Sequence, residues 1–246
     1  YNSFEDLPKY NNKYESSKHP YAKAQRSHFQ VDEFDHIQTK GLRRGYYGCV
    51  TFVDQQLGKI MNTLKEEDLF NNTNLIYTSD HGELLGKFGM WWKCSLIEDA
   101  IRIPCIAAGP HFKKNSVIDT PVDLHDLQAF LFDSYEIDKN SHMLGFPLNK
   151  INNNDQDRKI FSEYHGHGAP GSSFMIRKGN WKYVYYIDAP NQLYNLETDP
   201  NELTNLIEKN YEISVELHKE LEEICSPTKE HYIAEKFIES QLENCI

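Results

Sequence analysis

The sequence has no run of roughly eighteen consecutive apolar residues, which a membrane-spanning helix needs, so we predict no membrane partner. It is also poor in positive charge, because 26 Lys and Arg residues face 37 Asp and Glu residues for a net charge of -11. Nucleic-acid-binding proteins generally use a basic surface to displace counterions, so we predict no nucleic-acid partner. An anionic small molecule stays compatible with this composition, because a local cationic pocket can outweigh the overall field.

The cysteines give no indication of a structural role. The five cysteines are scattered and odd in number, and no two are separated by the two residues of a CxxC pair. This argues against a structural zinc site and against a disulfide framework. We interpret them as reduced thiols and expect a cytoplasmic protein, with a periplasmic or secreted location as the alternative.

The first part of the chain has predicted helices and strands in the order typical of an α/β layer. Residues 1–40 are polar and aperiodic, which predicts an irregular segment with one short helix. Apolar residues three and four apart then predict a helix over 41–67, and short apolar runs predict buried strands at 75–78 and 101–107. Asp123 is a suitable N-cap for a further helix. Helix, strand, strand and helix in this order indicate an α/β fold.

After the polar run 152–157, the sequence pattern changes to short consecutive strands followed by a helix. Residues 174–187 read as a β-hairpin, residues 192–196 as a third strand, and the following segment as an amphipathic helix. We therefore predict two domains, residues 1–154 and a small α+β subdomain over 155–246. An amphipathic helix over about 228–244 would dock either on a second copy, giving a homo-oligomer, or on its own chain.

Asp80 and His81 stand at the end of the first predicted strand, in the sequence TSDHGE. Ligand sites of open α/β sheets gather at that edge. A carboxylate oxygen and an imidazole nitrogen that are adjacent on a turn can both reach one metal ion, and Gly82 would allow the required bend. The alternative is a plain turn in which Asp80 caps backbone amides and His81 is solvated.

Lys93 follows two tryptophans in the loop between the two predicted strands. An ammonium so placed can hold an oxyanion as a compact charge, although a surface lysine beside aromatic packing fits as well. Trp92 is a candidate wall of a pocket for an apolar or cationic headgroup, because tryptophan faces attract quaternary ammonium groups; the alternative is that Trp91 and Trp92 merely pack the loop. His165, in the run His165-Gly166-His167, is a candidate substrate-facing residue, with a plain loop residue as the alternative.

Several segments follow one another in a characteristic order and spacing. They are GYYGCVTFVDQQLGKIMNTL, LIYTSDHGE, MWWKCSLIED, IRIPCIAAGP, FSEYHGHG, FMIRKGNWKYVYY and QLYNLETDPNELTNL. Together they resemble the sulfatase family of the alkaline phosphatase superfamily. The resemblance implies the C-terminal part of an alkaline-phosphatase-like α/β/α large domain, followed by a small subdomain of antiparallel sheet and helix.

The resemblance also implies a metal-dependent sulfuric ester hydrolase that acts on a small sulfate ester. Asp80 and His81 would be two ligands of one divalent cation, usually Ca²⁺ in such enzymes, with Mn²⁺ or Mg²⁺ as alternatives; an imidazole suits Mn²⁺ better. Lys93 would contact the sulfate and the bridging ester oxygen, where charge develops as the S–O bond breaks. The WWK element and the C-terminal tail favour the choline-sulfatase-like bacterial members.

The nucleophile of the family is a formylglycine made from Cys or Ser in a Cys/Ser-x-Pro-Ser-Arg motif. No cysteine or serine of this sequence is followed by x-Pro-Ser-Arg. The family order places the motif N-terminal to Tyr1, so we expect a C-terminal portion of a longer sulfatase that alone lacks turnover. Two other functions stay open: a phosphonate monoester or phosphodiester hydrolase of the same superfamily, and a non-catalytic binding protein that retains the fold.

Overall fold

The computed structural model describes residues 14–31, 34–138 and 143–243. Predictions that concern residues 1–13 or Cys245 lie outside these ranges. The chain packs into two compact units. Of the described residues, the first unit contains 34–80, 103–138 and 143–155, and the second contains 14–31, 81–102 and 156–243. The second unit thus includes two segments from the first 154 residues as well as the C-terminal region, and the predicted division into contiguous domains stays a prediction.

The described residues form both helices and strands. The helices are α1 (Glu15–Lys18), α2 (Pro20–Phe29), α3 (His36–Glu66), α4 (Glu98–Ile101), α5 (Leu124–Ser134), α6 (Tyr211–Ile224) and α7 (Pro227–Glu243). The strands are β1 (Leu75–Thr78), β2 (Cys105–Ala108), β3 (Lys159–Tyr164), β4 (Ser173–Lys178), β5 (Trp181–Tyr186) and β6 (Gln192–Asn195). No helix among the described residues combines the length and the apolar content that crossing a bilayer requires.

Helix α3 is the longest element of the first unit and confirms the helix predicted over 41–67. It begins earlier than predicted because Asp35 and Gln38 form a capping box. The Gln38 amide donates to Asp35 Oδ1 at 2.8 Å, and the Asp35 amide donates to Gln38 Oε1 at 2.9 Å. The apolar stripe that defined the prediction stays largely exposed, as Val50, Val53 and Ile60 show.

Strands β1 and β2 form a two-stranded antiparallel sheet in which Leu75 pairs with Ala108 and Thr78 with Cys105. The strand predicted at 75–78 is present but only half-buried, so its predicted burial is wrong. The strand predicted over 101–107 begins later than expected, because the chain before it forms the single helical turn α4. After β2, helix α5 starts at the predicted cap, where the His125 amide donates to Asp123 Oδ1 at 2.9 Å.

The second unit is built on a four-stranded antiparallel sheet of order β3-β4-β5-β6. Its core packs the sheet against α6 through buried Phe174, Ile176, Tyr183, Leu193, Leu217 and Leu221. The predicted hairpin and third strand are confirmed as β4, β5 and β6. The hairpin turns at Gly179, whose φ of 52° is a conformation that glycine adopts without strain. Strand β3 was not predicted.

Helices α1 and α2 correct the prediction that the first forty residues are mainly irregular. Pro20 occupies the first turn of α2, where its missing N–H costs nothing, and the Tyr21 amide donates to His19 Nδ1 at 3.3 Å. The helix ends at Gln30, which has a φ of 55°. Its buried residues include the polar Gln25 and Arg26, which explains why no apolar period marks it in the sequence.

Candidate active site

Asp80 and His81 follow the end of β1, as predicted. Both side chains are exposed. Ser79 Oγ donates to Asp80 Oδ1 at 3.3 Å, and His81 Nδ1 lies 2.9 Å from the carbonyl oxygen of Gly82. The boundary between the two units falls at the peptide bond between Asp80 and His81.

The side chains of Asp80 and His81 are of the kinds that bind metal ions, but two ligands make only part of a metal site. The described residues contain no group of three or more His, Cys, Asp or Glu side chains that could hold a metal ion. Divalent cations in proteins take roughly four to eight ligands, and a carboxylate oxygen and an imidazole nitrogen are suitable kinds. Asp80 and His81 therefore supply two ligands at most, and the described residues do not complete the shell.

Gly82 is needed for close approach and not for the sharp bend that the sequence suggests. Its φ is not positive, but a Cβ atom there would overlap the carbonyl group of Asp99. The Gly82 amide donates to the Ala100 oxygen at 2.7 Å, and the Glu83 amide donates to the Asp99 oxygen at 2.9 Å. These bonds hold the residue after His81 directly against α4.

The loop that carries Lys93 is packed and strained. Its apolar side chains form a buried cluster of Leu84, Phe88, Met90 and Ile97 with Ala22 and Ala100. Three non-glycine residues in it have a positive φ, namely 49° at Leu85, 53° at Phe88 and 64° at Trp92. Each such residue costs about 1–3 kcal/mol and persists only where the surroundings determine the conformation.

Helix α2 helps to fix this loop. Arg26 Nη1 donates to the carbonyl oxygens of Phe88 at 3.1 Å and Ser17 at 3.0 Å. Gln25 Nε2 donates to the carbonyl oxygen of Trp91 at 3.1 Å. Both side chains are buried, so they replace the water that these carbonyl groups would otherwise bind. Sequence reasoning missed both residues.

A buried ion network joins the same loop to the sheet. Lys182 Nζ lies 3.0 Å from Glu98 Oε1 and 2.7 Å from Glu202 Oε1. Lys87 Nζ pairs with Asp99 and lies 3.9 Å from Glu202 Oε2. Burial has the largest single effect on the pKa of Glu98 and raises it, but Lys182, Arg177 and Arg102 together outweigh that effect, so the pKa of Glu98 is lowered overall. The loop is thus anchored by charges that solvent does not screen.

Lys93 and Trp92 stand together at the surface of this anchored loop. Both residues are exposed. The Trp92 amide donates to Glu83 Oε1 at 2.6 Å, and the Trp92 carbonyl oxygen accepts from the Leu84 amide at 2.8 Å. The Lys93 carbonyl oxygen accepts from the Ser95 amide at 2.6 Å. The exposed ammonium of Lys93 is therefore carried on a backbone with a defined conformation.

His165 belongs to a chain of polar side chains. Its Nδ1 lies 2.7 Å from Ser172 Oγ, which lies 2.9 Å from Nδ1 of His231 in α7. Its Nε2 lies 3.3 Å from Glu163 Oε2. Ser172 is buried, so this chain ties α7 to the sheet. The ring of the neighbouring His167 lies against Phe29, as the ring of His28 does, and Phe29 in turn contacts Trp92.

Comparison with known proteins identifies the family. The model of the sulfatase family matches residues 3–136, more than half of the chain. The chain belongs to the sulfatase family. A second model, N-sulphoglucosamine sulphohydrolase, C-terminal, matches residues 86–226.

Curated relatives of this sulfatase come from animals and bacteria. Arylsulfatase K of Mus musculus is 33% identical over 224 residues, which cover 84% of this chain and 40% of the mouse protein. Choline-sulfatase of Rhizobium meliloti (strain 1021) is 32% identical over 172 residues, or 68% of this chain and 33% of that protein. The sulfatase chain thus spans about 40% of the length of the mouse relative. Because an animal protein also matches, the comparison does not single out a bacterial origin.

Solved structures show the fold. A protein in complex with its substrate D-glucosamine-2-N,6-O-disulfate superposes with a TM-score of 0.68 at 22% identity, over 86% of this chain and 46% of that one. Phosphonate monoester hydrolase from Silicibacter pomeroyi superposes with a TM-score of 0.73 at 22% identity, over 87% of this chain and 49% of that one. They confirm the predicted alkaline-phosphatase-like α/β fold.

Proposed function

We propose that this sulfatase chain is part of a sulfuric ester hydrolase. In it, Lys93 acts on the leaving-group oxygen, and Asp80 and His81 bind a divalent cation. The sulfatase match over residues 3–136 carries the proposal, because it contains all three residues. The chain spans about 40% of the mouse relative, and the nucleophile is assigned to no residue of this sequence.

The chemistry explains why a lysine is needed. Hydrolysis of a sulfate monoester consumes one water and yields an alcohol and hydrogen sulfate. The bond between the sulfur and the bridging oxygen breaks. The bridging oxygen stays on the carbon group, keeps the bonding electron pair and then takes up a proton. A fixed ammonium group stabilises that oxygen by a charge-assisted hydrogen bond. Lys93 suits this role because it is exposed on a loop that Glu83, Gln25 and Arg26 hold in place.

The proposed cation would be held in part by Asp80 and His81. When bound, such an ion supplies positive charge beside the sulfate oxygens. The carboxylate suits Ca²⁺ or Mg²⁺ and the imidazole favours Mn²⁺. Calorimetric titration of the complete gene product with CaCl₂ and with MnCl₂ tests the pair. We expect Asp80→Asn to weaken binding of the preferred ion at least roughly tenfold; unchanged binding would remove Asp80 from the site.

A phosphonate monoester hydrolase is the second candidate, and the structural likeness to such an enzyme favours it. Sulfate and phosphonate esters both present anionic oxygens and a departing oxygen, so one cationic arrangement can serve either. A panel of aryl sulfate, choline sulfate, a sulfated monosaccharide and an aryl phosphonate monoester ranks the two activities by kcat/KM.

The decisive experiment measures sulfate release by the complete product of the gene that encodes this sequence. We expect turnover of at least one sulfate ester, and a fall of about 10²–10³-fold in kcat for Lys93→Ala. Lys229→Ala is the matched control, because Lys229 is an exposed lysine of α7. No turnover of any sulfate ester would overturn the function, and a normal rate for Lys93→Ala would overturn the role of this residue.

A further inference from the structure

Ser172 shares its side-chain hydroxyl between two histidines. Its Oγ lies 2.7 Å from Nδ1 of His165, in the loop after β3, and 2.9 Å from Nδ1 of His231, in α7. Ser172 is buried. A serine hydroxyl has one hydrogen to donate. It can therefore donate to only one of the two imidazoles, and the other imidazole must itself carry a hydrogen on Nδ1.

The opposite nitrogen of each ring faces a carboxylate. Nε2 of His165 lies 3.3 Å from Glu163 Oε2, and Nε2 of His231 lies 3.4 Å from Glu235 Oε1. A neutral imidazole carries a hydrogen on one nitrogen and a lone pair on the other. The ring that donates from Nδ1 would therefore, if neutral, turn the lone pair of Nε2 towards a carboxylate. That arrangement is repulsive, and a proton on Nε2 removes the repulsion.

The number of available hydrogens sets the proton content of this chain of side chains. Four contacts link five side chains in a row, namely Glu163, His165, Ser172, His231 and Glu235. The hydroxyl and two neutral imidazoles supply three hydrogens for these four contacts. One added proton turns one ring into an imidazolium, which donates from both nitrogens, and every contact is then satisfied. A second added proton would direct two cations at one oxygen and leave the hydroxyl hydrogen without an acceptor.

His218 in α6 has the same kinds of partner without this deficit. Its Nδ1 lies 3.3 Å from Tyr183 Oη, and its Nε2 lies 3.7 Å from Glu222 Oε1. The Tyr183 hydroxyl accepts a hydrogen bond from Asn191 Nδ2 at 2.9 Å, so it keeps its own hydrogen for His218. A neutral His218 therefore satisfies both contacts. The deficit at Ser172 arises because one hydroxyl serves two imidazoles.

The groups around the two rings favour one positive charge. Glu163 and Glu235 face the rings, and Glu230 of α7 adds a further carboxylate nearby. Burial, Glu163 and Glu230 raise the pKa of the Cys225 thiol to about 11, so this thiol stays neutral near pH 7. The hydroxyl of Tyr21 donates to the carbonyl oxygen of the bridging serine at 2.9 Å, and burial raises its pKa, so it adds no charge. The carboxylates therefore attract the added proton.

We infer that His165, Ser172 and His231 bind one proton between them, and that this proton holds α7 on the sheet. Pro227 is the one buried residue of α7, all of which the structure describes, so few other groups fix the helix by burial. Histidine changes its charge between about pH 5 and pH 8. Because the docked helix binds the proton more tightly than the released helix, docking is strongest at the acidic end of this range and weakens as the pH rises. This inference is independent of the proposed sulfatase function.

Hydrogen–deuterium exchange of α7 in the complete gene product tests the inference. Protection factors are compared, because they remove the effect of pH on the intrinsic exchange rate. We expect the protection of α7 to fall roughly three- to tenfold from about pH 6.5 to about pH 8.5, as for the loss of one hydrogen bond. His231→Asn places a neutral amide near the position of Nδ1, which can donate to Ser172 without an added proton. This variant and His165→Asn should abolish the pH dependence, whereas the matched control His218→Asn should retain it.

Three exchange results would overturn the inference: protection of α7 that is independent of pH in the wild type, a pH dependence that survives in both test variants, and a loss of the dependence in His218→Asn. If the asparagine variants release α7 at both pH values, ring protonation decides. ¹⁵N NMR of the histidine-labelled wild type at about pH 6.5 shows which ring nitrogens carry hydrogen. Hydrogen on Nε2 of both His165 and His231, with one more shared between their Nδ1 atoms, would support the inference. A neutral ring with a bare Nε2 at either residue would refute it.

Discussion

Lys182 is the most informative residue to change, because its one ammonium group is ion-paired with two glutamates in the interior of the second unit. Its side chain is 0% exposed and that of Glu202 1% exposed, and Glu98 is also largely buried. Lys182→Met keeps the length and apolar stem of the side chain but removes the charge. Both carboxylates then lose the ammonium group that offsets their burial.

The expected loss of stability in Lys182→Met depends on the ion pairs that Glu98 and Glu202 keep. Removing one partner of a buried ion pair costs about 3–5 kcal/mol, because the other charge stays buried. Glu98 keeps Arg177 at 3.8 Å and Glu202 keeps Lys87 at 3.9 Å. These longer contacts place the loss at the lower end, about 3 kcal/mol. For a chain of this size the melting temperature should fall by roughly 6–12 °C.

Thermal and urea unfolding followed by circular dichroism measure this loss. Lys178→Met is the matched control, since Lys178 also contacts two glutamates, Glu216 at 3.1 Å and Glu220 at 2.7 Å, but near the surface. It should cost less than about 1 kcal/mol. The double variant Lys182→Met/Glu202→Gln should be less destabilised than the single variant, because one buried charge has gone. Equal losses for Lys182→Met and Lys178→Met would refute the reasoning.

Three other predictions concern the same unit. The lowered pKa of Glu98 stabilises the fold above its ordinary value of 4.5, and that contribution is lost as the pH falls through the depressed pKa. Acid-unfolding curves should therefore show a shallower pH dependence for Glu98→Gln. Ser172→Ala leaves His231 without its hydroxyl partner, which should cost about 1–3 kcal/mol and speed hydrogen exchange in α7; unchanged exchange would contradict this. Gly82→Ala forces a Cβ atom onto the Asp99 carbonyl group, so chemical unfolding should show a loss of at least about 2 kcal/mol, whereas a neutral effect would mean that α4 can shift.

The fold was predictable where an apolar period or a turn signal marks an element. The stripe of α3, the cap at Asp123 and the hairpin at Gly179 are local patterns, and all three predictions are confirmed. Helix α2 was missed because its buried face includes Gln25 and Arg26, whose burial depends on carbonyl groups about 60 residues away in the sequence. The start of β2 was misplaced because α4 occupies part of the apolar run 101–107.

The candidate site was predictable only in part. The position of Asp80 and His81 at a strand end follows from local sequence and is confirmed, whereas their part in a metal shell stays a prediction. The sequence could not rank His165 and His167, because two histidines around one glycine look equivalent. Their difference lies in distant partners: Ser172 and His231 for the first, Phe29 for the second.

The uncovered apolar side chains of the first unit have a practical consequence for handling the protein. Ile37 is 80% exposed, Phe52 62% and Ile106 65%. Mutual repulsion from a net charge of -11 opposes their association near neutral pH, and it vanishes as the solution approaches the isoelectric point of about 5.5. Turbidity should therefore peak close to that pH, and at higher pH it should increase with added salt, which screens the repulsion that the net charge still causes there. A dilute alkaline buffer is the natural choice for purification and storage.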